Sequence, residues 1–302
     1  MQYRRLGKGG PRISAIGLGT WPIGGGMGMV EEKTGIRIIR TALDHGINHI
    51  DTAQGYRSSE ETVGKALRDG YRDNCFLVTK ASLDFSQAGI LSAIEDSLRK
   101  LRVAYVDLYL IHSWNPEYPI KESMETMARI REQGKARFIG VSNFNASQME
   151  QADGTAQFQA NQVCYNIIDR QIEAEDLPYC EGRGIGLIVH SPLAKGLLTG
   201  KYSPGDRFPE DDERYGFPRF QGERFAGYLA AAERVREVAE AKGISPVHLA
   251  VAWTLRQPAV SSVLVGAKSV EQLQDHLKAA DMSFSTEELA QIDAATTAVV
   301  ER

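Results

Sequence analysis

The chain is poor in the features that would commit it to several large protein classes. Its 302 residues hold three cysteines, Cys75, Cys164 and Cys180, an odd number without metal-ligand spacing. That argues against a disulfide scaffold or a zinc module and fits free thiols in a reducing, cytoplasmic setting. No apolar run approaches the ~18 residues of a membrane span, and the opening MQYRRLGKGG lacks the apolar stretch of a secretory leader. A basic stripe is missing too. Thirty-five Lys and Arg against 39 Asp and Glu leave a net charge of −4, so neither nucleic acid nor an anionic membrane is an expected partner. The dinucleotide fingerprint GxGxxG is absent from the first turn, which reads GLGTWPIGGGMGM, and the Gly24–Gly26 triplet reads as a flexible loop.

What the chain does have is alternation. Eight short apolar runs, at 15–19, 46–51, 75–80, 105–112, 136–142, 158–165, 184–190 and 261–266, are separated by amphipathic stretches. The helical stretches lie near 33–45, 59–69, 87–101, 121–133, 145–153, 173–183, 224–242, 246–256, 269–279 and 285–296. Strands alternating with helices call for parallel crossovers, and eight such units close into an α/β fold of the (β/α)₈ barrel type spanning 1–302 as one domain. Residues 3–15 read as a β-hairpin outside the eight, and the last helices as additions to the barrel. Residues 203–224, rich in Pro, Gly and charge, form a long polar segment of the kind that serves as a lid, and with no apolar periodicity it should be mobile until ligand binds.

In such barrels the chemistry sits at the carboxyl ends of the strands. The second run ends on Asp51, the third on Lys80 and the fourth on His112; the fifth ends on Ser142-Asn143, the sixth carries Gln162 and the seventh ends on His190. Ser58 and Glu61 have capping-box spacing, so a helix should start there and hold Tyr56 on a short loop over the mouth. A lysine near a phenol lowers its pKa, and Asp51 would keep Lys80 charged. His112 could then hydrogen-bond a substrate oxygen while Tyr56 delivers the proton. This is an acid–base device for a carbonyl that contains no nucleophile or electron sink, so it asks for a hydride donor. His49 shares the parity of Asp51 and reads as a satisfied core histidine. A metal-hydrolase reading of His49, Asp51, His112 and His190 fits poorly, because Lys80 and Tyr56 are the wrong neighbours for a metal ion.

The stretches GLGTW (17–21), HIDTAQGY (49–56), LVTK (77–80), DLYLIH (107–112), IGVSNF (139–144), NQVCYN (161–166), SPLAKGLLTGKY (191–202) and VGAKSVEQL (265–273) occur in the order found in the aldo-keto reductase family. The chain resembles that family over nearly its whole length. The resemblance implies NAD(P)(H)-dependent interconversion of carbonyls and alcohols, with Tyr56 as proton donor and Asp51, Lys80 and His112 completing the tetrad. It implies a nicotinamide site at Ser142, Asn143, Gln162 and His190, with Gly19, Thr20, Trp21 and Asp51 beside it. Ser191, Leu193, Lys195 and Gly196, then Gly266, Lys268, Ser269, Gln272, Asp275 and His276, would follow the rest of the cofactor. Trp21 and Trp114, together with Tyr56 and His112, would line the substrate pocket, with Tyr118 nearby. Two residues depart from the family pattern. His190 stands where an aromatic residue often stacks on the nicotinamide, and Arg57 where glycine often follows the tyrosine. NADP(H) is the preferred cofactor, with NAD(H) possible, because Lys268 and Ser269 open a helix that would face a 2′-phosphate. The same residues serve a carbonyl reductase, or a sugar or alcohol dehydrogenase running in reverse. A regulatory channel-subunit-like barrel is the non-enzymatic alternative.

Overall fold

The computed structural model describes residues 1–300, and their side chains through 296. Strands β1 (Tyr3–Arg5) and β2 (Arg12–Ser14) form the expected antiparallel hairpin. Eight parallel strands then close into a barrel: β3 (Ile16–Gly19), β4 (His49–Asp51), β5 (Phe76–Ala81), β6 (Val106–Ile111), β7 (Ala136–Ser142), β8 (Ala160–Cys164), β9 (Gly186–His190) and β10 (Val260–Val265). Strand β10 pairs with both β3 and β9, which closes the sheet.

The helices are α1 (Glu32–Asp44), α2 (Ser59–Ala66), α3 (Gln87–Leu101), α4 (Ile120–Glu132), α5 (Ala146–Asp153), α6 (Asp176–Arg183), α7 (Gly222–Ala241), α8 (Pro246–Leu255), α9 (Val270–Leu277) and α10 (Thr286–Val300). Helix α6 starts later than the pattern from 173 suggested. Pro178 fits only the first turn of a helix, and a 3₁₀ turn at Gln171–Glu173 fills the gap. Helix α10 packs along α7, outside the ring.

Strand alternation sorts the side chains into two cores. Phe76 and Val78 of β5 point inward with Leu108, Leu110, Ala160, Ile188 and Leu264, and the hairpin's Leu6 and Ile13 join this inner cluster. Gly7 of the hairpin meets Gly184 and Gly186 at the start of β9, so the hairpin closes the amino end of the barrel. The other strand faces bury against the helices in one large apolar cluster. With one end plugged, the polar strand ends at the other rim are left to form a mouth.

The long segment is less polar in its packing than its sequence suggests. Phe208 and Phe220 lie 5.0 Å apart, Phe220 and Phe225 5.7 Å, and Tyr202 and Phe208 5.4 Å, giving the segment an aromatic core of its own. Arg219 fastens it to the loop after β8 by a two-pronged pair with Asp169, one prong at 2.8 Å.

Candidate active site

The inward parity of β5 that buries Phe76 and Val78 also turns Lys80 into the mouth, where its side chain is fully buried. A buried ammonium needs a partner, and three oxygens surround it. Nζ donates to Asp51 Oδ1 at 2.6 Å and to the Thr52 carbonyl at 2.8 Å, and it lies 3.5 Å from the Tyr56 hydroxyl. Gln162 Nε2 donates to the other Asp51 oxygen, Oδ2, at 2.7 Å. Donors on both oxygens favour the carboxylate form of Asp51, while its burial raises the pKa by more than Lys80 and Gln162 lower it. Burial likewise works against the charge on Lys80, but Asp51 and Tyr56 outweigh it and the pKa is raised.

Tyr56 differs from the sequence expectation. Burial raises the phenol above its usual value by more than the Lys80 charge lowers it. The phenol is therefore protonated at neutral pH, as an acid must be. Its ring lies 5.5 Å from that of His112 and 5.0 Å from that of Trp21. His112 is lowered to about 3 by burial, then by Lys80 and His190, and is a neutral imidazole.

The tyrosine loop is not held by the expected capping box. Helix α2 starts where anticipated, but Ser58 makes no side-chain cap. The next two residues turn inward instead. Ser59 Oγ bonds Thr20 Oγ1 at 2.6 Å and Thr52 Oγ1 at 2.9 Å, and Thr20 Oγ1 donates to the Asp51 carbonyl at 2.7 Å. Glu60 Oε1 accepts from Thr79 Oγ1 at 2.7 Å, beside Lys80 in β5. These buried bonds tie the tyrosine loop to the strand ends carrying Asp51 and Lys80.

The glycine triplet has a packing role rather than serving as a loose loop. A Cβ on Gly24 would lie 2.2 Å from the Tyr56 carbonyl oxygen, and one on Gly26 would lie 1.9 Å from the Trp21 ring. Arg57 adopts left-handed backbone (φ 49°) and donates to the Gly25 carbonyl at 2.7 Å, which binds the two loops together.

Beside the tetrad, Ser142, Asn143 and His190 form a second polar group. Ser142 Oγ donates to the Gln162 carbonyl at 2.9 Å, and Asn143 Nδ2 donates to the His112 carbonyl at 3.0 Å. Asn143 Oδ1 bonds His190 Nε2 at 2.9 Å, and His190 Nδ1 lies 3.1 Å from Ser191 Oγ. Burial, then Lys80, lowers His190 to about 4. These residues suit a carboxamide-bearing ring. The Gln162 side-chain carbonyl has no partner among the described residues, and it sits next to the two charges of the tetrad.

After β9 the backbone is strained. Ser191, Ala194 and Lys195 have φ of 58°, 47° and 58°, followed by Gly196 at 95°. Such non-glycine conformations cost on the order of 1 kcal/mol each and cluster at binding sites. Lys195 Nζ pairs with Glu213 at 2.7 Å, which joins this loop to the long segment. Ser269 caps α9, accepting from Gln272 N at 3.3 Å, and Gln272 Oε1 accepts from Lys268 N at 2.9 Å. Lys268 Nζ donates to the Met27 carbonyl. Asp275 pairs with His248 and Lys278, each at 3.1 Å, while His276 is buried with Nδ1 unpartnered. Gly19 and Gly266 approach one another at the ends of β3 and β10.

Trp114 packs edge-on to Phe144 at 5.3 Å, and Tyr118 turns toward Phe85 at 5.8 Å. His49 is only half satisfied: Nδ1 bonds Ser262 Oγ at 2.9 Å and Nε2 is buried without a partner. The four side chains raised as a metal set do not converge as ligands, since both Asp51 oxygens are taken by Lys80 and Gln162. A separate hollow of about 460 Å³, bordered by Phe208, Phe220 and Phe225, opens within the long segment and contains no tetrad residue. Sequence reasoning passed over Ser82, whose Oγ lies 2.7 Å from His112 Nδ1. Its position two residues after Lys80, on the same strand parity, was the available signal.

Comparison with known proteins agrees with this architecture. A family profile described as the aldo/keto reductase family matches residues 15–297. The chain is 41% identical over 288 residues to aldo-keto reductase YhdN of Bacillus subtilis (strain 168), covering 91% of this chain and 87% of that one. It is 33% identical to L-glyceraldehyde 3-phosphate reductase of Escherichia coli O157:H7, covering 97% and 92% of the two chains. The solved structure of glycerol dehydrogenase AKR11B4 from Gluconobacter oxydans superimposes with a TM-score of 0.89 at 35% identity, covering 99% of this chain and 96% of that one. No described helix is long and apolar enough to cross a membrane. With this barrel and these matches along nearly its whole length, the chain belongs to the aldo/keto reductase family, the nicotinamide-dependent oxidoreductases of carbonyls and alcohols.

Proposed function

We propose that this protein reduces an aldehyde or ketone with NADPH, and that Tyr56 delivers the proton to the carbonyl oxygen. The observation that carries the reading is the placement of Lys80 Nζ, 2.6 Å from Asp51 and 3.5 Å from the Tyr56 hydroxyl. The bound nicotinamide would supply the hydride. Tyr56, kept protonated by burial, gives up its proton as negative charge builds on the substrate oxygen. Lys80 stabilises the phenolate left behind, and Asp51 holds the ammonium charged and aimed. His112, neutral, donates a hydrogen bond to the same oxygen. Trp21 and Trp114 form apolar walls for the rest of the substrate.

In this reading Ser142, Asn143 and Gln162 hold the carboxamide and His190 covers one face of the ring. The strained turn through Ser191, Leu193, Lys195 and Gly196 takes the bridging phosphates, with Gly19, Thr20 and Gly266 at its edge. Lys268, Ser269 and Gln272 meet the 2′-phosphate, and Asp275 and His276 border the adenine. Thr20 acts through Asp51 and Ser59, which occupy its hydroxyl. A protonated phenol is the state from which carbonyl reduction starts. An assembled, buried acid–base tetrad favours an enzyme over a purely regulatory subunit. The three cysteines are free thiols, which suits a reducing, cytoplasmic setting.

The test is a panel of carbonyls and alcohols assayed with NADPH and NADP⁺, then with NADH and NAD⁺, on the wild type and Tyr56→Phe. Turnover should favour carbonyl with NADPH and fall by ~10²-fold or more in the variant, while the cofactor still binds. A variant keeping more than about a tenth of kcat would remove Tyr56 as the acid.

A further inference from the structure

A neutral imidazole carries one N–H, and its location decides whether His112 offers the substrate oxygen a donor or a lone pair. Nδ1 faces Ser82 Oγ at 2.7 Å, and Nε2 has no partner among the described residues. Two hydrogen arrangements are possible. In one, the Ser82 hydroxyl donates to Nδ1 and the imidazole proton sits on Nε2. In the other, Nδ1–H donates to Ser82, and the serine hydrogen must go to its next acceptor, the Lys80 carbonyl at 3.4 Å. That second contact is long for an O–H···O bond, and the Lys80 carbonyl already accepts from Gln54 N at 3.1 Å. The first arrangement makes a full bond, whereas the second strands the serine hydrogen on a weak, shared one.

We propose that Ser82 is a positioning residue that fixes His112 as its Nε2–H tautomer, so that the histidine presents a donor to the substrate oxygen. Ser82 is itself held by the tyrosine loop: its N–H donates to Gln54 Oε1 at 3.1 Å, two residues before Tyr56. One loop therefore carries the acid directly and, through Ser82, orients the donor that must meet the acid at the same oxygen. The neutral state this needs is consistent with the burial of His112 beside the Lys80 charge. A histidine in the opposite tautomer would point a lone pair at the carbonyl oxygen and repel it.

The inference rests on the reductase reading for its purpose, but its central measurement does not need turnover. Histidine ¹⁵N shifts would be recorded for the wild type, Ser82→Ala and Ser82→Thr, with His112 identified by loss of its signals in His112→Gln. We expect the wild type and Ser82→Thr to carry the proton on Nε2, and Ser82→Ala to gain an Nδ1–H population. The kcat/KM for carbonyl reduction should fall about tenfold in Ser82→Ala, the scale of one hydrogen bond, with NADPH affinity changed by less than about twofold. Ser82→Thr should keep most activity. A wild-type His112 protonated on Nδ1 overturns the proposal, as does a Ser82→Ala protein with unchanged tautomer and unchanged kcat/KM. Should Ser82→Ala fail to fold, Ser82→Cys, a poorer donor of similar size, gives the same comparison. A chain inactive on every carbonyl would defeat the reductase reading and leave the tautomer result standing.

Discussion

Gln162 braces Asp51: its amide nitrogen donates to Oδ2 at 2.7 Å, while Lys80 takes Oδ1 at 2.6 Å. A residue expected to serve only the cofactor thus also holds the carboxylate of the tetrad. Gln162→Leu leaves a buried carboxylate oxygen without a donor, which costs ~1–3 kcal/mol. Unfolding in urea should show that loss, with lower kcat as well as weaker cofactor binding. A variant whose only defect is cofactor affinity would show that the brace contributes nothing.

The Lys80–Asp51 pair makes a sharper prediction. Both side chains are almost wholly buried, so removing one partner leaves an uncompensated charge. Lys80→Met should destabilise the protein by ~3–5 kcal/mol. Adding Asp51→Asn removes the orphaned charge, so the double variant should regain most of that stability. It should regain none of the turnover, because the phenolate still lacks its cation. Equal stability of the single and double variants would contradict the pairing described.

The pH dependence follows from three shifted groups. His112 at about 3 and His190 at about 4 are already neutral throughout the neutral range, and Tyr56 stays protonated there. The kcat/KM for reduction should therefore be flat from about pH 5.5 to about pH 8.5, with no limb near the usual histidine value of about 6.5. Alcohol oxidation needs the phenolate. It should climb with pH across the same range, since the phenol is raised rather than lowered. In Lys80→Met that climb should move to higher pH still. A pH–rate profile bending near 6.5 would mark His112 as an ordinary titrating histidine.

The legible and illegible parts of this molecule differ in physical origin. Asp51, Lys80 and His112 could be read because strand period and strand end are local properties, and the barrel turns strand ends into a mouth. The capping box at Ser58 and Glu61 was misleading because tertiary bonds prevailed: the first turn of α2 is fixed by Ser59 on Thr20 and Glu60 on Thr79. Phe208, Phe217, Phe220 and Phe225 have no period, so a polar-looking segment concealed its aromatic core. Lys80 was expected to lower the Tyr56 pKa, but the sequence carries no measure of how deeply the phenol is buried, and burial dominates. The Gly24 and Gly26 contacts involve the backbone at Tyr56 and the ring of Trp21, neither visible in a glycine run.

In the proposed reading, cofactor choice rests on Lys268. A 2′-phosphate brings nearly two negative charges, and a lysine at a helix start is suited to receive them. Ser269 caps α9, and Lys268 precedes it with its ammonium resting on the Met27 carbonyl, a neutral acceptor that leaves the charge uncancelled. Burial lowers the Lys268 pKa; Arg214 adds to the effect and Asp212, which pairs with Arg214, works against it. With Arg214 engaged by Asp212, the attraction for a phosphate would come chiefly from Lys268 and the helix start. A charge-assisted contact is worth ~1.5–3 kcal/mol, about one to two decades of affinity. Lys268→Ala should therefore weaken NADPH binding by roughly ten- to a hundredfold and leave NADH nearly unchanged. The gap between wild type and variant should narrow at high salt, where the charge is screened. Fluorescence titration of both cofactors at two salt concentrations measures this. Equal weakening of NADPH and NADH would mean that Lys268 does not read the phosphate, and a wild type that prefers NADH would overturn the assignment of the whole segment.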